Sequence, residues 1–148
     1  MKAIVTFILM VALALGHGAS SAAPRTNGGF MGFCAFQGAK LADGHWLGAY
    51  CLYDVSTWSY SYTWIDLDHC LANNGGELIS WEDGAFSGSC NDCSIANTST
   101  TLHLTCACWD PQGQKKLSST IDLNTALHDA GGCAGCFSHT GNMSWEGP

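Results

Sequence analysis

The sequence predicts a mainly β fold that is built from two tandem, pseudo-symmetric repeats with short helical turns and is stabilised by disulfide bonds. Three observations support this fold class. A set of short motifs occurs twice, in the same order and about 56 residues apart. The segments between the turn signals are rich in aromatic and β-branched residues, which favour strands. The chain also has nine cysteines in 148 residues, a density that is typical of small disulfide-bonded proteins.

The N-terminal segment has the pattern of a secretory signal peptide. Lys2 supplies a positive charge, residues 3–15 are almost uninterruptedly apolar, and small residues follow as far as Ala23. The apolar run is too short to span a bilayer, which favours a signal peptide over a membrane anchor. We therefore expect residues 1–22 to be removed and the mature protein to be secreted, without membrane insertion. A buried N-terminal helix is the alternative.

The charge balance of the mature chain argues against a nucleic-acid partner. Loss of Lys2 with the signal peptide takes the formal net charge from −7 to −8. Phosphate groups are bound by clustered basic side chains, and the chain has no such cluster. The basic residues that remain form no stripe along the sequence: Arg25, Lys40, Lys115 and Lys116.

Four matched blocks define the repeats. They have the patterns F-x-G-x-C, L-x-[AC]-x-C, I-D-L-[DN] and G-G. The pairs are residues 30–34 with 86–90, 47–51 with 104–108, 65–68 with 121–124, and 75–76 with 131–132. Repeat one therefore spans residues 30–85 and repeat two spans residues 86–136, and residues 137–148 form a C-terminal tail.

Each repeat has the same predicted order of elements. A strand around Cys34 or Cys90 is followed by a strand in which alternate residues of L-x-[AC]-x-C share one face. A further strand leads into I-D-L-[DN], and the residue that ends this block is expected to cap a helical turn, over residues 69–73 or 125–129. A hairpin turn follows, Asn-Asn-Gly-Gly at 73–76 or Asp-Ala-Gly-Gly at 129–132, and a strand over 77–81 comes next in repeat one.

This ordered, duplicated set of motifs resembles the cyanovirin-N homology (CVNH) domain over residues 30–136. Members of that family are mostly lectins that bind high-mannose glycans, and some are secreted fungal proteins. The resemblance implies an elongated pair of β-sheet lobes, in which each lobe combines strands of one repeat with a hairpin of the other. It also implies a non-catalytic protein whose partners are oligosaccharides or glycoproteins.

The resemblance implies two disulfide bonds, each joining the first strand of a repeat to the second. These are Cys34–Cys51 and Cys90–Cys108, with Cys106 as an alternative partner for Cys90. We also expect Cys93–Cys106. Cys70, Cys133 and Cys136 then leave one further bond and one spare thiol, so that the protein is a monomer or a dimer linked through that thiol.

Metal binding is the alternative for the cysteines, since the pairs at 90 and 93, 106 and 108, and 133 and 136 have ligand-like spacing. The oxidising secretory route favours disulfides, and we expect no metal and no cofactor. None of the six histidines lies in a G-x-S-x-G or H-E-x-x-H setting, so we expect no catalysis.

The resemblance also implies one sugar pocket beside each hairpin turn. The first pocket comprises Asn73, Asn74, Gly75, Ser87, Ser89, Asp110 and Gln112. The second comprises Asp129, Gly131, Gly32, Phe33 and Asp54. Asp129 and Phe33 depart from the family pattern, so we expect binding through the first pocket. The alternative for residues 73–76 is a tight turn with no ligand role.

Several further residues have two interpretations. Asp66 and Asp122 are expected to hold the local turn rather than to bind sugar. The six tryptophans are mostly expected in the core or on strand faces, with Trp58 or Trp109 as candidate exposed platforms. Asn97 and Asn142 lie in N-glycosylation sequons and are expected at the surface.

Two functions are compatible with these features. The first is a secreted lectin that binds mannose-type glycans. The second is a secreted cysteine-rich interaction protein, effector-like or acting at a cell surface, that has the same fold but no sugar binding.

Overall fold

The computed structural model describes residues 27–98 and 100–148. The predicted signal peptide, residues 1–22, lies outside these ranges. Within them, no helix has the length and apolar character needed to cross a membrane.

The predicted β fold and its internal repeat are confirmed. Repeat one contributes five strands: β1 Cys34–Ala42, β2 Trp46–Asp54, β3 Ser59–Asp66, β4 Leu71–Asn73 and β5 Leu78–Ser80. Repeat two contributes their counterparts: β6 Cys90–Asn97, β7 Leu102–Trp109, β8 Lys116–Asp122, β9 His128–Asp129 and β10 Ala134–Cys136. The first three strands of each repeat form an antiparallel sheet, and the last two form a hairpin.

The two repeats exchange their hairpins. The β4–β5 hairpin packs on the sheet of repeat two, where the Leu78 amide donates to Ser119 Oγ at 2.8 Å. The β9–β10 hairpin packs on the sheet of repeat one, where Ser61 Oγ donates to the Gly132 carbonyl at 3.0 Å. We call β1–β3 with β9–β10 the first lobe, and β6–β8 with β4–β5 the second lobe.

One apolar core runs through both lobes, and the motif residues supply it. The phenylalanine of each F-x-G-x-C block, Phe30 or Phe86, lies in a 3₁₀ turn and is fully buried. In β2, Leu47, Ala49 and Cys51 share the inward face and are fully buried. Burial of each large apolar side chain contributes about 1.5–3 kcal/mol, which explains why these positions agree between the repeats.

Four disulfide bonds crosslink the described residues. Cys34–Cys51 and Cys90–Cys108 have the pairing that the family resemblance implies, and Cys93–Cys106 is also formed. The fourth, Cys70–Cys136, joins the two repeats across 66 residues. In the chain-entropy model the short loops contribute roughly 3 kcal/mol each and the long loop about 4 kcal/mol. Cys133 is buried and free.

The helical turns begin two residues earlier than predicted. They are a 3₁₀ turn at Leu67–His69 and α1 at Leu123–Ala126, not residues 69–73 and 125–129. Asp66 and Asp122 cap them, each accepting a hydrogen bond from the amide two residues later. The capping residue is therefore the Asp inside the I-D-L motif. The turns end early because Leu71–Asn73 and His128–Asp129 are extended in the hairpins.

The C-terminal segment, predicted as a tail, extends the sheets of the first lobe. Strand β11, His139–Thr140, pairs with β10, and strand β12, Asn142–Met143, pairs with β3. The first lobe therefore has a four-stranded sheet in the order β1-β2-β3-β12, whereas the sheet of the second lobe has three strands.

Candidate functional site

The hairpin turn of the second lobe, residues 73–76, is organised by the side chain of Asn73. Asn73 Oδ1 accepts a hydrogen bond from the Gly76 amide at 2.6 Å. Gly75 and Gly76 have φ values of +65° and +98°, which lie in the left-handed region that favours glycine. The Asn-Asn-Gly-Gly sequence therefore forms the tight turn that it predicts.

The same side chain joins the turn to the sheet of the other repeat. Asn73 Nδ2 donates to Ser89 Oγ at 3.1 Å and to the Trp109 carbonyl at 2.9 Å. Gly75 lies against Pro111, whose Cγ would be 2.8 Å from a Cβ at the glycine. The structure thus brings the turn together with Ser89 and with the loop that follows β7, as the first pocket requires.

The remaining four residues of the first pocket have three different settings. Asn74 and Gln112 are exposed, and they directly follow Asn73 and Pro111 in the sequence. Asp110 Oδ1 accepts from the Gln114 amide at 2.8 Å and so orders the loop. Ser87 is not part of this arrangement, since its amide and hydroxyl both donate to the Asp68 carboxylate.

The hairpin turn of the first lobe repeats this geometry with different chemistry. Asp129 Oδ1 accepts from the Gly132 amide at 3.0 Å, as Asn73 does for Gly76. A carboxylate has no N–H to donate, so it cannot make the two further bonds that Asn73 donates. Gly132 lies directly against the backbone of Tyr53.

The other residues of the second pocket form an exposed and partly apolar surface. Gly32 and Gly131 are exposed, and 51% of the Phe33 surface is accessible to solvent. The Asp54 carboxylate accepts from the amide and hydroxyl of Ser56, and these hydrogen bonds hold the pKa of Asp54 below its ordinary value. Asp54 therefore orders the turn after β2.

The tryptophans are more exposed than the sequence suggested. Trp58 and Trp109 are accessible, at 71% and 40%, although Lys116 Nζ lies 5.0 Å from the Trp109 ring centre. The expectation of core or strand-face positions is wrong for Trp81 and Trp145, which lie outside the strands at 61% and 70% exposure. Trp81 directly follows β5, and Trp145 lies two residues after β12.

A cluster of His69, Asp83 and His139 lies where strand β11 meets the segment between β5 and Phe86. His69 Nδ1 lies 2.6 Å from Asp83 Oδ1, and His139 Nε2 lies 3.0 Å from the same oxygen. The two imidazole rings stack at 4.2 Å with an interplanar angle of 15°. The Asp83 carboxylate therefore lies close to both imidazole rings, and the ligand atoms of the three side chains lie within 4.8 Å of one another.

Most of the cysteines with ligand-like spacing form disulfide bonds. Cys90, Cys93, Cys106, Cys108 and Cys136 are all disulfide-bonded, so their sulfurs are not thiolate ligands. The sequon residues Asn97 and Asn142 are both exposed, at the end of β6 and in β12.

An aromatic cleft of about 370 Å³ on the outer face of the first lobe is not among the sites predicted from the sequence. Its walls include Tyr50, Tyr62, Trp64 and Trp145. The alternation of aromatic residues at 60, 62 and 64 was a visible signal that one face of β3 is aromatic. Nothing in the sequence indicated that Trp145 returns to this face.

Comparisons with known proteins agree with this architecture. The family model of the CVNH domain matches residues 34–135. The NMR structure of the CVNH protein of Gibberella zeae is similar with a TM-score of 0.62 and 22% identity, over 74% of this chain and 97% of that chain.

Two similar structures hold sugars. The crystal structure of a MoCVNH3 variant in complex with (N-GlcNAc)4 has a TM-score of 0.60 and 18% identity, over 76% of this chain and 99% of that chain. The microvirin–mannobiose complex has a TM-score of 0.52 and 24% identity, over 68% of this chain and 88% of that chain. A search of curated proteins finds no match. From the match of the family model, the chain belongs to the CVNH domain family.

Proposed function

We propose that the chain is a secreted, non-catalytic lectin that binds mannose-type glycans through the turn of the second lobe. Its family membership supports carbohydrate binding, and similar structures hold mannobiose and (N-GlcNAc)4. The signal-peptide pattern of residues 1–22 supports secretion.

The contact between Asn73 and Trp109 carries this proposal. It fixes a turn from one repeat beside a loop from the other, where Gly75 lies against Pro111, and the residues next to these two in sequence, Asn74 and Gln112, are exposed. Side-chain amides both donate and accept, which suits the hydroxyl groups of a neutral glycan. Each such bond contributes about 0.5–1.5 kcal/mol, so one site of this kind has modest affinity.

A glycan array followed by calorimetry tests the proposal. We expect the mature protein to bind oligomannose, and Asn74→Ala and Gln112→Ala each to weaken binding without changing thermal stability. Asn97→Ala, in protein made in bacteria, is the matched control, because Asn97 is an exposed amide at the far end of the same sheet. Failure of the folded protein to bind any oligomannose would refute the proposal.

The first lobe supports a second candidate, an interaction protein without sugar binding. Phe33 and Tyr53 are both more than half exposed beside the turn at 129–132, and the Leu52 amide donates to the Phe33 carbonyl at 2.9 Å. Exposed aromatic side chains are enriched in protein interfaces. Capture of a protein partner that persists in excess mannose and is lost in Phe33→Ser would favour this candidate.

A further inference from the structure

The outer face of the sheet in the first lobe carries a connected set of aromatic rings. Tyr50 on β2 is directly opposite Tyr62 on β3, and Gly48 is directly opposite Trp64. The Tyr50 and Tyr62 rings meet edge to face at 4.8 Å, and the Tyr62 and Trp64 rings do so at 5.5 Å. Such edge-to-face pairs are favourable and hold each ring in place.

Gly48 makes room for these rings. A Cβ at Gly48 would lie 2.7 Å from Tyr62 Oη and 2.9 Å from Trp64 Cη2. The rings therefore lie over the backbone of β2, in space that any other residue would fill. Tyr62 is held further by a hydrogen bond from its hydroxyl to the Gly38 carbonyl at 3.3 Å.

The C-terminal segment completes the set. Strand β12 pairs with β3, and the Ser144 amide donates to the Tyr62 carbonyl at 3.1 Å. This brings the Trp145 ring to 5.7 Å from that of Tyr50 and 6.1 Å from that of Tyr62, while 70% of Trp145 stays exposed. The result is a cleft of about 370 Å³, with Lys40 and Glu146 also in its lining.

The second lobe shows that the fold does not need this aromatic face. At the equivalent register positions, Ala107 is opposite Ser118 where the first lobe has Tyr50 opposite Tyr62. Thr105 is opposite Thr120 where the first lobe has Gly48 opposite Trp64, and their hydroxyls are 2.7 Å apart. The same sheet therefore forms with small residues on this face, so the sheet itself does not require the rings.

We propose that this cleft is a second carbohydrate site, in which a neutral pyranose ring stacks on the exposed ring of Trp145 beside the half-buried Tyr50, while the buried rings of Tyr62 and Trp64 support them. The inference rests on the proposed lectin function but concerns a surface separate from the hairpin turns. A cleft of 300–1,000 Å³ with aromatic walls and a few polar groups is typical of small-ligand sites, and this one lies in that range. The C–H face of a pyranose matches an aromatic ring, and Lys40 and Glu146 offer one donor and one acceptor to its hydroxyls.

A saccharide fits this cleft better than a second copy of the chain does. A stable dimer buries roughly 800 Å² on each partner, over a broad surface. The cleft is instead a concave site bounded by four rings, with one positive and one negative side chain in its lining. Its scale and balanced charge match a neutral sugar of one or two rings.

Substitution experiments can use the second lobe as a template. The double variant Tyr50→Ala/Tyr62→Ser places the residues of the second lobe on the first, and Trp145→Ala removes only the exposed ring. We expect each to weaken binding of mannobiose or (GlcNAc)4 at the cleft about tenfold. Trp81→Ala removes a comparably exposed tryptophan outside the cleft and should have no effect. Trp145→Ala serves as the test if the double variant does not fold.

An NMR titration with the same two saccharides separates this inference from the proposed function. Sugar-induced shifts of the Trp64 and Trp145 indole signals that are lost in Tyr50→Ala/Tyr62→Ser, or shifts of the Trp64 signal that are lost in Trp145→Ala, would support the cleft, whether or not residues 73–76 respond. Shifts confined to residues 73–76 would overturn the inference and leave the lectin proposal standing. Absence of both, with no binding on the glycan array, would overturn both. Concentration-dependent shifts of Trp145 without sugar would identify a self-association surface instead.

Discussion

Asn73 donates a hydrogen bond from its side-chain Nδ2 to the backbone carbonyl of Trp109, 2.9 Å away, and so joins the hairpin of one repeat to the sheet of the other. With the bond to Ser89 and the bond accepted from Gly76, every polar atom of this side chain is engaged within the protein. Asn73 therefore has a structural role in the turn, and its contact with a ligand stays a prediction.

Asn73→Ala should lower the free energy of unfolding by about 1–3 kcal/mol, because it removes these bonds and leaves the Gly76 amide without its partner. Urea denaturation of the mature protein measures this change. Asn74→Ala should stay within about 0.5 kcal/mol of the wild type, since Asn74 is an exposed surface residue. Equal stability of the two variants would contradict the structural role of Asn73.

Gly132→Ala should be more destabilising than Gly76→Ala, although the two glycines occupy equivalent turn positions. Their φ values of +90° and +98° make the backbone strain similar, about 1–2 kcal/mol. A Cβ at Gly132 would overlap Tyr53 and lie 2.7 Å from its Cα, which cannot move without the strand. At Gly76 the overlap is with the end of the Leu117 side chain, which can rotate away.

Thermal unfolding of the two glycine variants provides the comparison. We expect Gly132→Ala to cost about 1–3 kcal/mol more than Gly76→Ala, the usual range for overpacking. A smaller effect at Gly132 would mean that β2 can shift away from the turn.

Cys133 should stay unreactive while the protein is folded. Only 8% of its surface is accessible, and it is the residue left unpaired by the four disulfide bonds in the described ranges. Alkylation followed by mass spectrometry should label no thiol in native protein and one thiol per chain after denaturation without reductant. A disulfide-linked dimer on a non-reducing gel would contradict this burial and would support the dimer that the odd cysteine count allows.

The carboxyl group of Asp83 should titrate below its ordinary pKa of 3.8. The hydrogen bond with His69 is the main cause of this lowered pKa, and the charge of His139 adds to it. A folded-state pKa below the unfolded value means that ionised Asp83 stabilises the fold at pH above about 4. This contribution is lost as the pH falls through the folded-state pKa.

An NMR titration of the side-chain carboxyl carbons measures the pKa of Asp83 directly. His69→Ala should raise it towards 3.8, while His103→Ala should leave it unchanged, since His103 lies on β7 in the second lobe. An unchanged pKa in His69→Ala would show that the 2.6 Å contact does not persist in solution.

Local patterns in the sequence predict the repeat, the strands and the hairpin turns, because each depends on residues that are close in the chain. The helical turns were misplaced by two residues because both Asp66 and Asp68 are plausible caps, and only the backbone conformation selects Asp66. The sequence predicts Asn73 as a turn residue. It does not predict the hydrogen bond to the Trp109 carbonyl, because every residue type at position 109 would offer the same backbone acceptor.

Contacts between parts of the chain that are distant in sequence are harder to predict. Cys70 and Cys136 are 66 residues apart and meet only because the hairpins cross between the repeats. The aromatic cleft combines a visible alternation on β3 with Trp145, which reaches it through a two-residue strand. Such a short strand has no periodicity to detect.

The exchanged hairpins make each repeat depend on the other. A single repeat by itself would have a three-stranded sheet with an uncovered apolar face and a hairpin with no sheet to pack on. Exchange of such an element between two separate chains is a known route to symmetric dimers. Because one polypeptide carries both repeats here, the exchange is intramolecular, at an effective concentration in the millimolar range. Because one polypeptide carries both repeats, the residues of each repeat can differ. The first lobe has aromatic residues where the second lobe has threonine and serine at the equivalent positions.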